Sequence, residues 1–156
     1  MSELTDYLLA AHCQPQWRGF LLSLFKQLPA ALPKEHYQTL LSHIGRDMAA
    51  AMPLSPQPSL PALQHAMNQY WQQRDWGQVR LSMAGQHIVI HHVGCPVPAA
   101  QGLTDDNSTE ALAIVLGAVY SHWFEQQGGD KHARARLISK GDAWLYHYSK
   151  EPATAG

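Results

Sequence analysis

Apolar residues recur at helical spacing through the first half of the chain and at strand spacing after residue 77. In the first half, Trp17, Leu21, Leu24 and Leu28 share one helical face, a spacing typical of a half-buried helix. This pattern predicts helices over residues 5–13, 16–28, 33–52 and 60–76. Ser59 is expected to cap the last of these helices and Gly77 to end it. Four prolines in residues 53–61 predict an extended, stiff connector.

Alternation with a period of two then predicts two antiparallel hairpins. Residues 78–93 alternate between apolar and polar positions around a tight turn at Ala84-Gly85. Residues 134–139 and 143–149 form the second pair of strands, joined through residues 140–142. Residues 94–106 are expected to be a loop, and residues 150–156 a flexible tail.

The most apolar segment lies between the hairpins, in residues 107–127. Asn107 and Glu110 have the spacing of a capping box, and Gly128-Gly129 supplies a stop. The segment is apolar almost all round, so it should be buried against a sheet on one side and against helices or another subunit on the other. Its apolar run is only about half of the ~20 residues that a bilayer requires, which excludes insertion into a membrane. Small residues on this helix favour close approach of a second backbone, and they are the candidate oligomer contacts: Gly117, Ala118 and Ser121.

The order of elements predicts an α+β fold in which N-terminal helices precede two hairpins that form a four-stranded antiparallel sheet around the long apolar helix. The length of 156 residues fits one domain, residues 1–156, with an N-terminal segment at residues 1–16.

Charge and composition exclude several classes of protein. The net charge is −1 and no helix carries a Lys/Arg stripe, so no nucleic-acid partner is expected. The N-terminus lacks the basic and apolar regions of a secretory signal, which favours the cytoplasm. Cys13 and Cys95 are therefore expected to be free thiols.

Ten histidines do not make a metal site. His91 and His92 are neighbours on a strand and point to opposite faces, and His87 and His91 lie ~13 Å apart along it. No metal-ligand spacing, nucleophile elbow or phosphate-binding glycine loop is present. The sequence thus predicts no catalytic residues, no metal and no cofactor, and a protein that is not an enzyme.

Aromatic and polar side chains offer two possible sugar-binding surfaces. Trp144, Tyr146 and Tyr148 share one face of the last strand, where they either stack on sugar rings or pack on the central helix or on a subunit copy. The second candidate surface is N-terminal and mixes rings with amide and guanidinium donors, which suit a chain of hydroxyl groups: Tyr7, Gln14, Gln16, Trp17 and Arg18.

Four segments, in order and spacing, resemble the bacterial cellulose synthase D-subunit family. They are residues 17–25 (WRGFLLSLF), 41–49 (LSHIGRDMA), 75–81 (DWGQVRL) and 116–123 (LGAVYSHW). The resemblance implies a non-enzymatic accessory protein of a cellulose-secretion complex, similar in fold to the α+β domain above. It also implies dimers that assemble into a ring-like octamer, with N-terminal segments pointing into a lumen through which glucan chains pass.

The same resemblance implies further partners: a companion protein of the same operon, the cellulose synthase complex, whose crystalline fibril export this protein helps to organise, and glucan chains themselves. An alternative interpretation comes from another class of protein. Helices followed by a four-stranded sheet, a mid-chain Cys and many His also resemble sensor domains with a haem or lipid pocket.

Overall fold

The computed structural model describes residues 14–100, 103–130 and 132–150 and has the α+β architecture that the sequence predicts. The helices are α1 (Pro15–Ala31), α2 (Lys34–Ala50), α3 (Leu60–Arg74) and α4 (Asp106–Gln126). The main strands are β1 (Gln78–Ala84), β2 (His87–Val93), β5 (Arg134–Lys140) and β6 (Trp144–Ser149). Two short strands, β3 (Ala99–Ala100) and β4 (Leu103–Thr104), pair within a segment predicted to be a loop. The helix predicted over residues 5–13 lies outside the described residues.

Two predicted helix ends are confirmed. The Ser59 side chain accepts a hydrogen bond from the backbone N–H of Ala62, which caps α3. At the end of α4, Gly128 has a φ of +92° and donates its N–H to the carbonyl of Glu125. Gly129 donates to the carbonyl of Phe124, and the two bonds together form a Schellman stop.

Three other predicted ends are wrong by a few residues. α1 continues through Pro29 to Ala31, because a proline in the last turn removes only one backbone donor and Leu32 still bonds Leu28. α3 ends at Arg74, where Asp75 adopts a left-handed conformation (φ 58°) before Gly77 is reached. α4 is capped by Asp105 rather than Asn107.

The Asp105 carboxylate accepts from both the backbone N–H and the hydroxyl of Ser108, at 2.9 and 2.8 Å. Ser108 is thereby held fully buried at the first turn of α4. A carboxylate next to the positive end of the helix dipole is also electrostatically favourable. Asp105 and Asp106, at the end of the segment predicted to be a loop, are therefore the cap and the first residue of the central helix.

The four main strands form one antiparallel sheet in the order β1-β2-β6-β5. β2 and β6 are central, with Ile90 opposite Tyr146 and His92 opposite Trp144. One face of the sheet packs on α4, and α2 packs on the other side of that helix. The core is therefore a layered stack in which α4 lies between the sheet and α2.

The aromatic face of β6 belongs to this core. Trp144, Tyr146 and Tyr148 are buried, and the Tyr146 hydroxyl donates to the carbonyl of Ala113 on α4 at 2.6 Å. The ring of Phe124 stacks on that of Tyr148 with a centroid distance of 4.7 Å. The β6 rings therefore pack on the central helix, and their interpretation as a sugar platform is wrong.

A buried hydrogen-bonded chain ties α3, α4 and β2 together. The Trp71 indole N–H donates to the Tyr120 hydroxyl at 3.0 Å, and that hydroxyl lies 2.5 Å from Nδ1 of His92. Nε2 of His92 lies 2.8 Å from the carbonyl of Trp76. Because a carbonyl only accepts, Nε2 carries the proton and Nδ1 accepts from Tyr120. Burial lowers the pKa of His92 to about 4, so the ring is held neutral.

The two edges of the sheet differ in the side chains that bond their outer backbone groups. Along β1, the amide of Asn68 bonds both the N–H and the carbonyl of Val79, and Gln64 accepts from the N–H of Leu81. Helix α3 therefore seals this edge with side chains that imitate a neighbouring strand. At β5, on the opposite edge, the Ser121 hydroxyl accepts from the N–H of Ala135.

Candidate functional site

An open groove of about 400 Å³ runs between α2 and β5, with α4 as its floor. Its volume falls in the lower part of the range for binding sites, about 300–1,000 Å³. Its apolar lining comes mainly from α4 and β5, and polar side chains stand on both rims. The lining residues are Gln38, Ser42, Glu110, Ala113, Ile114, Gly117, Ala118, Ser121, Arg134, Ala135, Leu137, Lys140 and Tyr146.

The three small residues predicted as oligomer contacts all line this groove, and each also makes a contact within the chain. A side chain at Gly117 would begin 3.3 Å from the ring of Tyr146, so glycine leaves room for that ring. Ala118 faces Gly45 of α2 at close range. Ser121 donates to the Gly117 carbonyl and accepts from the N–H of Ala135. The trio thus keeps α2 and β5 close to α4 while leaving the space between them open.

Beside the groove, the outer edge of β5 has no neighbouring strand among the described residues. The N–H of Ala135 points away from β6, and by the two-residue period of a strand the N–H of Leu137 points the same way. A β-bulge lies between Leu137 and Ser139. The side chains of Leu137 and Ile138 are 38% and 52% exposed. An open edge with exposed apolar side chains is a template for contact with another chain.

The rims of the groove carry charges that are unpaired within the described part of the chain. The ion pairs there are Arg46–Glu125 and Lys150–Asp130. Neither includes the groove carboxylate of Glu110 or the cations of Arg134 and Lys140. A second surface that enters the groove can therefore offer these groups opposite charges.

A further exposed apolar surface lies on α1. Trp17 and Phe20 are 56% and 59% exposed, and their rings meet edge to face with centroids 6.2 Å apart. Leu24, one turn further along, is 37% exposed. Of the predicted glucan contacts, Gln14 and Gln16 are exposed at the start of α1 and Arg18 is exposed only in part. Tyr7 lies outside the described residues.

The remaining candidate groups are the cysteine thiols, possible metal ligands and possible membrane-spanning helices. Cys95 is buried, and burial raises the pKa of its thiol. Cys13 lies outside the described residues. Within residues 14–100, 103–130 and 132–150, no three His, Cys, Asp or Glu side chains form a cluster that could hold a metal ion. None of the described helices combines the length and apolarity that a membrane crossing requires.

The sequence predicts the small residues that line the groove, but it does not predict that a groove forms there. The signal for Gly117, Ala118 and Ser121 was local, since all three lie on one helix. The open edge of β5 depends on the order of strands in the sheet, and no pattern along the chain encodes it.

Comparison with known proteins gives one family. The model of the family described as the D subunit of cellulose synthase matches residues 3–147. That range includes α1 to α4 and all four strands of the main sheet as far as residue 147. No curated protein sequence matches the chain.

Proposed function

The chain belongs to the cellulose synthase D-subunit family, and we propose that it is an accessory protein that assembles with copies of itself and organises cellulose synthase complexes. Membership of the family implies a role in bacterial cellulose synthesis. Members are generally understood to be non-catalytic, and this agrees with a sequence that offers no catalytic constellation. In this proposal its dimers form an octamer that works in the cytoplasm, near the synthase, with a companion protein of the same operon.

One observation carries the proposal of self-association: the groove between α2 and β5 lies directly beside an open strand edge. The over-apolar circumference of α4 supports assembly less than its sequence suggested, because its own sheet and helices cover most of that helix. On the side that faces the groove, Ile114, Ala118 and Ser121 remain partly exposed. A second copy is the occupant we propose. In a two-fold contact, the unpaired carboxylate of Glu110 in each copy can form an ion pair with Arg134 or Lys140 of the other copy.

Replacing Leu137 with Glu tests this contact. Leu137 is 38% exposed in the single chain, so the substitution should leave the fold intact. At a contact between copies it buries a charge without a partner, and we expect the dissociation constant of the oligomer to rise about tenfold or more. Analytical ultracentrifugation over a range of concentrations measures this change.

The matched control is Met83→Glu. Met83 is 59% exposed on β1, at the opposite edge of the same sheet, and its replacement should leave assembly unchanged. A parent protein that stays monomeric at micromolar concentration rules out self-association. In cells, Leu137→Glu in place of the parent gene should reduce fibril order while the membranes keep their synthase activity.

Direct contact with glucan is a separate proposal, supported by the exposed ring of Trp17. A flat aromatic face flanked by Gln14 and Gln16 suits the apolar face and the hydroxyl groups of a β-linked glucan. We expect Trp17→Ala to weaken cellohexaose binding about tenfold in isothermal titration calorimetry. Leu24→Ala, on the same face of α1, is the control and should bind as the parent does. Equal affinities for the parent and Trp17→Ala proteins contradict this role.

The alternative of a haem or lipid sensor gains no support from the described residues. A haem-ligating Cys or His must present its side chain to the ligand. Cys95 is covered by the core, and both ring nitrogens of His92 are already bonded within the protein.

A further inference from the structure

The outer face of the sheet, which looks away from α4, has an unusual charge pattern. The strands β1, β2, β5 and β6 contain no Asp or Glu, although the whole chain carries 12 acidic residues and a net charge of −1. Because side chains alternate between faces, the inner face takes Val79, Leu81 and Ile90, and the outer face takes the arginines of these strands. The outward-facing residues of these strands include Arg80, His87, His91, Arg136 and His147.

The register of the sheet fixes how these outward side chains are arranged. One row across the strands reads Ser82, Val89, His147 and Arg136, and the next reads Arg80, His91, Leu145 and Ser139. Apolar residues and histidines thus occupy the two central strands. Arg80 and Arg136 stand on the two outer strands, about 15 Å apart by the ~4.8 Å spacing of strands. None of the residues in these two rows is buried, as expected of a face that no described helix covers.

These cations are unpaired within the described part of the chain. Neither Arg80 nor Arg136 takes part in the two ion pairs there, and one guanidinium nitrogen of Arg136 lacks any hydrogen-bond partner. Between them, the rings of His87 and His147 stack at a centroid distance of 5.6 Å. An apolar centre flanked by arginines is the usual anatomy of a protein interface, in which Arg is enriched and Lys is depleted.

We propose that this face binds an acidic segment of another protein, with carboxylates that pair with Arg80 and Arg136 and apolar side chains that lie on Val89 and Leu145. The like charge of the face disfavours pairing with the same face of a second copy. Its outward residues include no Trp, Tyr or Phe, so it offers no ring on which a sugar can stack. Three outward arginines among apolar residues and histidines are also too few for the phosphate contacts that hold nucleic acid.

A synthetic peptide tests the proposal. The probe is a fluorescein-labelled peptide with two Glu residues separated by three apolar residues, since side chains four positions apart in an extended chain share a face and lie ~13 Å apart. We expect fluorescence anisotropy to show micromolar binding to the parent that weakens with added salt. Arg80→Gln and Arg136→Gln should each weaken binding about tenfold. Lys26→Gln, on the exposed side of α1, should bind as the parent does.

Several outcomes overturn the proposal. The proposal is wrong if the parent protein does not bind the probe. It is also wrong if a peptide with Gln in place of Glu binds as tightly as the probe, or if Lys26→Gln loses as much affinity as the two arginine variants. Binding to phosphatidylglycerol vesicles without binding to the peptide assigns the face to lipid and overturns it too. Arg80 is exposed, so its variant remains informative even if Arg136→Gln folds poorly. Sedimentation of both variants should match that of the parent, which separates this face from the groove.

Discussion

Acidification from pH 6.5 to about pH 4 is expected to remove about 3 kcal/mol from the free energy of unfolding, through His92 alone. In the unfolded chain this imidazole takes up a proton near its ordinary pKa of 6.5. In the folded protein its pKa is about 4, chiefly because burial disfavours the charged ring. Between these values the unfolded state binds more protons, so stability is complete above pH 6.5 and falls as the pH falls.

The hydrogen-bonded chain explains why the fold does not adapt to the charged ring. A protonated His92 would present an N–H at Nδ1 to the Tyr120 hydroxyl, which already accepts from Trp71. Either the Tyr120 hydroxyl loses the hydrogen bond that it donates to His92, or the imidazole ring leaves the core. Both cost hydrogen bonds in a buried site.

Urea unfolding at a series of pH values measures the effect. His92→Phe should be less stable than the parent at pH 7 but should lose much of the slope between pH 6.5 and 4. His36→Asn, which replaces an exposed histidine on α2, should keep the slope of the parent. A parent whose stability is constant across this range, or a His92→Phe protein with the full slope of the parent, contradicts the assignment.

The second large effect is expected at Gly45, where α2 crosses α4. A methyl group added at this position would collide with the carbonyl oxygen of Val115 and lie 2.7 Å from Cβ of Ala118. The first of these neighbours is backbone, so relief requires the two helices to move apart. We expect Gly45→Ala to cost about 2–3 kcal/mol despite the better helix propensity of alanine.

Gly19→Ala provides the matched control, since this glycine also lies inside a helix but has no atom within 4 Å of the added methyl. There the lower backbone entropy of the unfolded chain should stabilise the protein by about 0.5–1 kcal/mol. Thermal unfolding followed by circular dichroism compares the two variants. Opposite signs support the close helix crossing, and a stabilised Gly45→Ala protein would show that the helices separate freely.

The sequence predicts those parts of the fold that depend on local geometry. Ser59 as a cap, the glycines after α4 and the turn between β1 and β2 all follow from the preferences of a few adjacent residues. The errors of a few residues also have local causes. Asp105 and Asn107 are both good caps, and burial of the Ser108 hydroxyl decides in favour of Asp105.

The features that hold the layers together could not be predicted, because they join residues distant in sequence. His92 meets Tyr120 across 28 positions and Trp71 meets Tyr120 across 49. No pattern along the chain marks His92 as buried, since His91 and His92 differ only in the face to which they point. The hydrogen bonds from Asn68 and Gln64 to the backbone of β1 could not be predicted either, because polar residues on a helix are expected to face water.

These hydrogen bonds along β1 limit the size of the assembly that copies of the protein can form. A sheet with two free margins can add copies indefinitely and become a fibre, whereas in the described part of this protein side chains of α3 already bond the β1 margin at Val79 and Leu81. If two molecules meet at the β5 margin by two-fold symmetry, as proposed above, each covers that margin of the other, so growth in that direction stops at a pair. A larger assembly would then have to be joined through a different surface, and the exposed side chains of Phe20 and Leu24 lie on one.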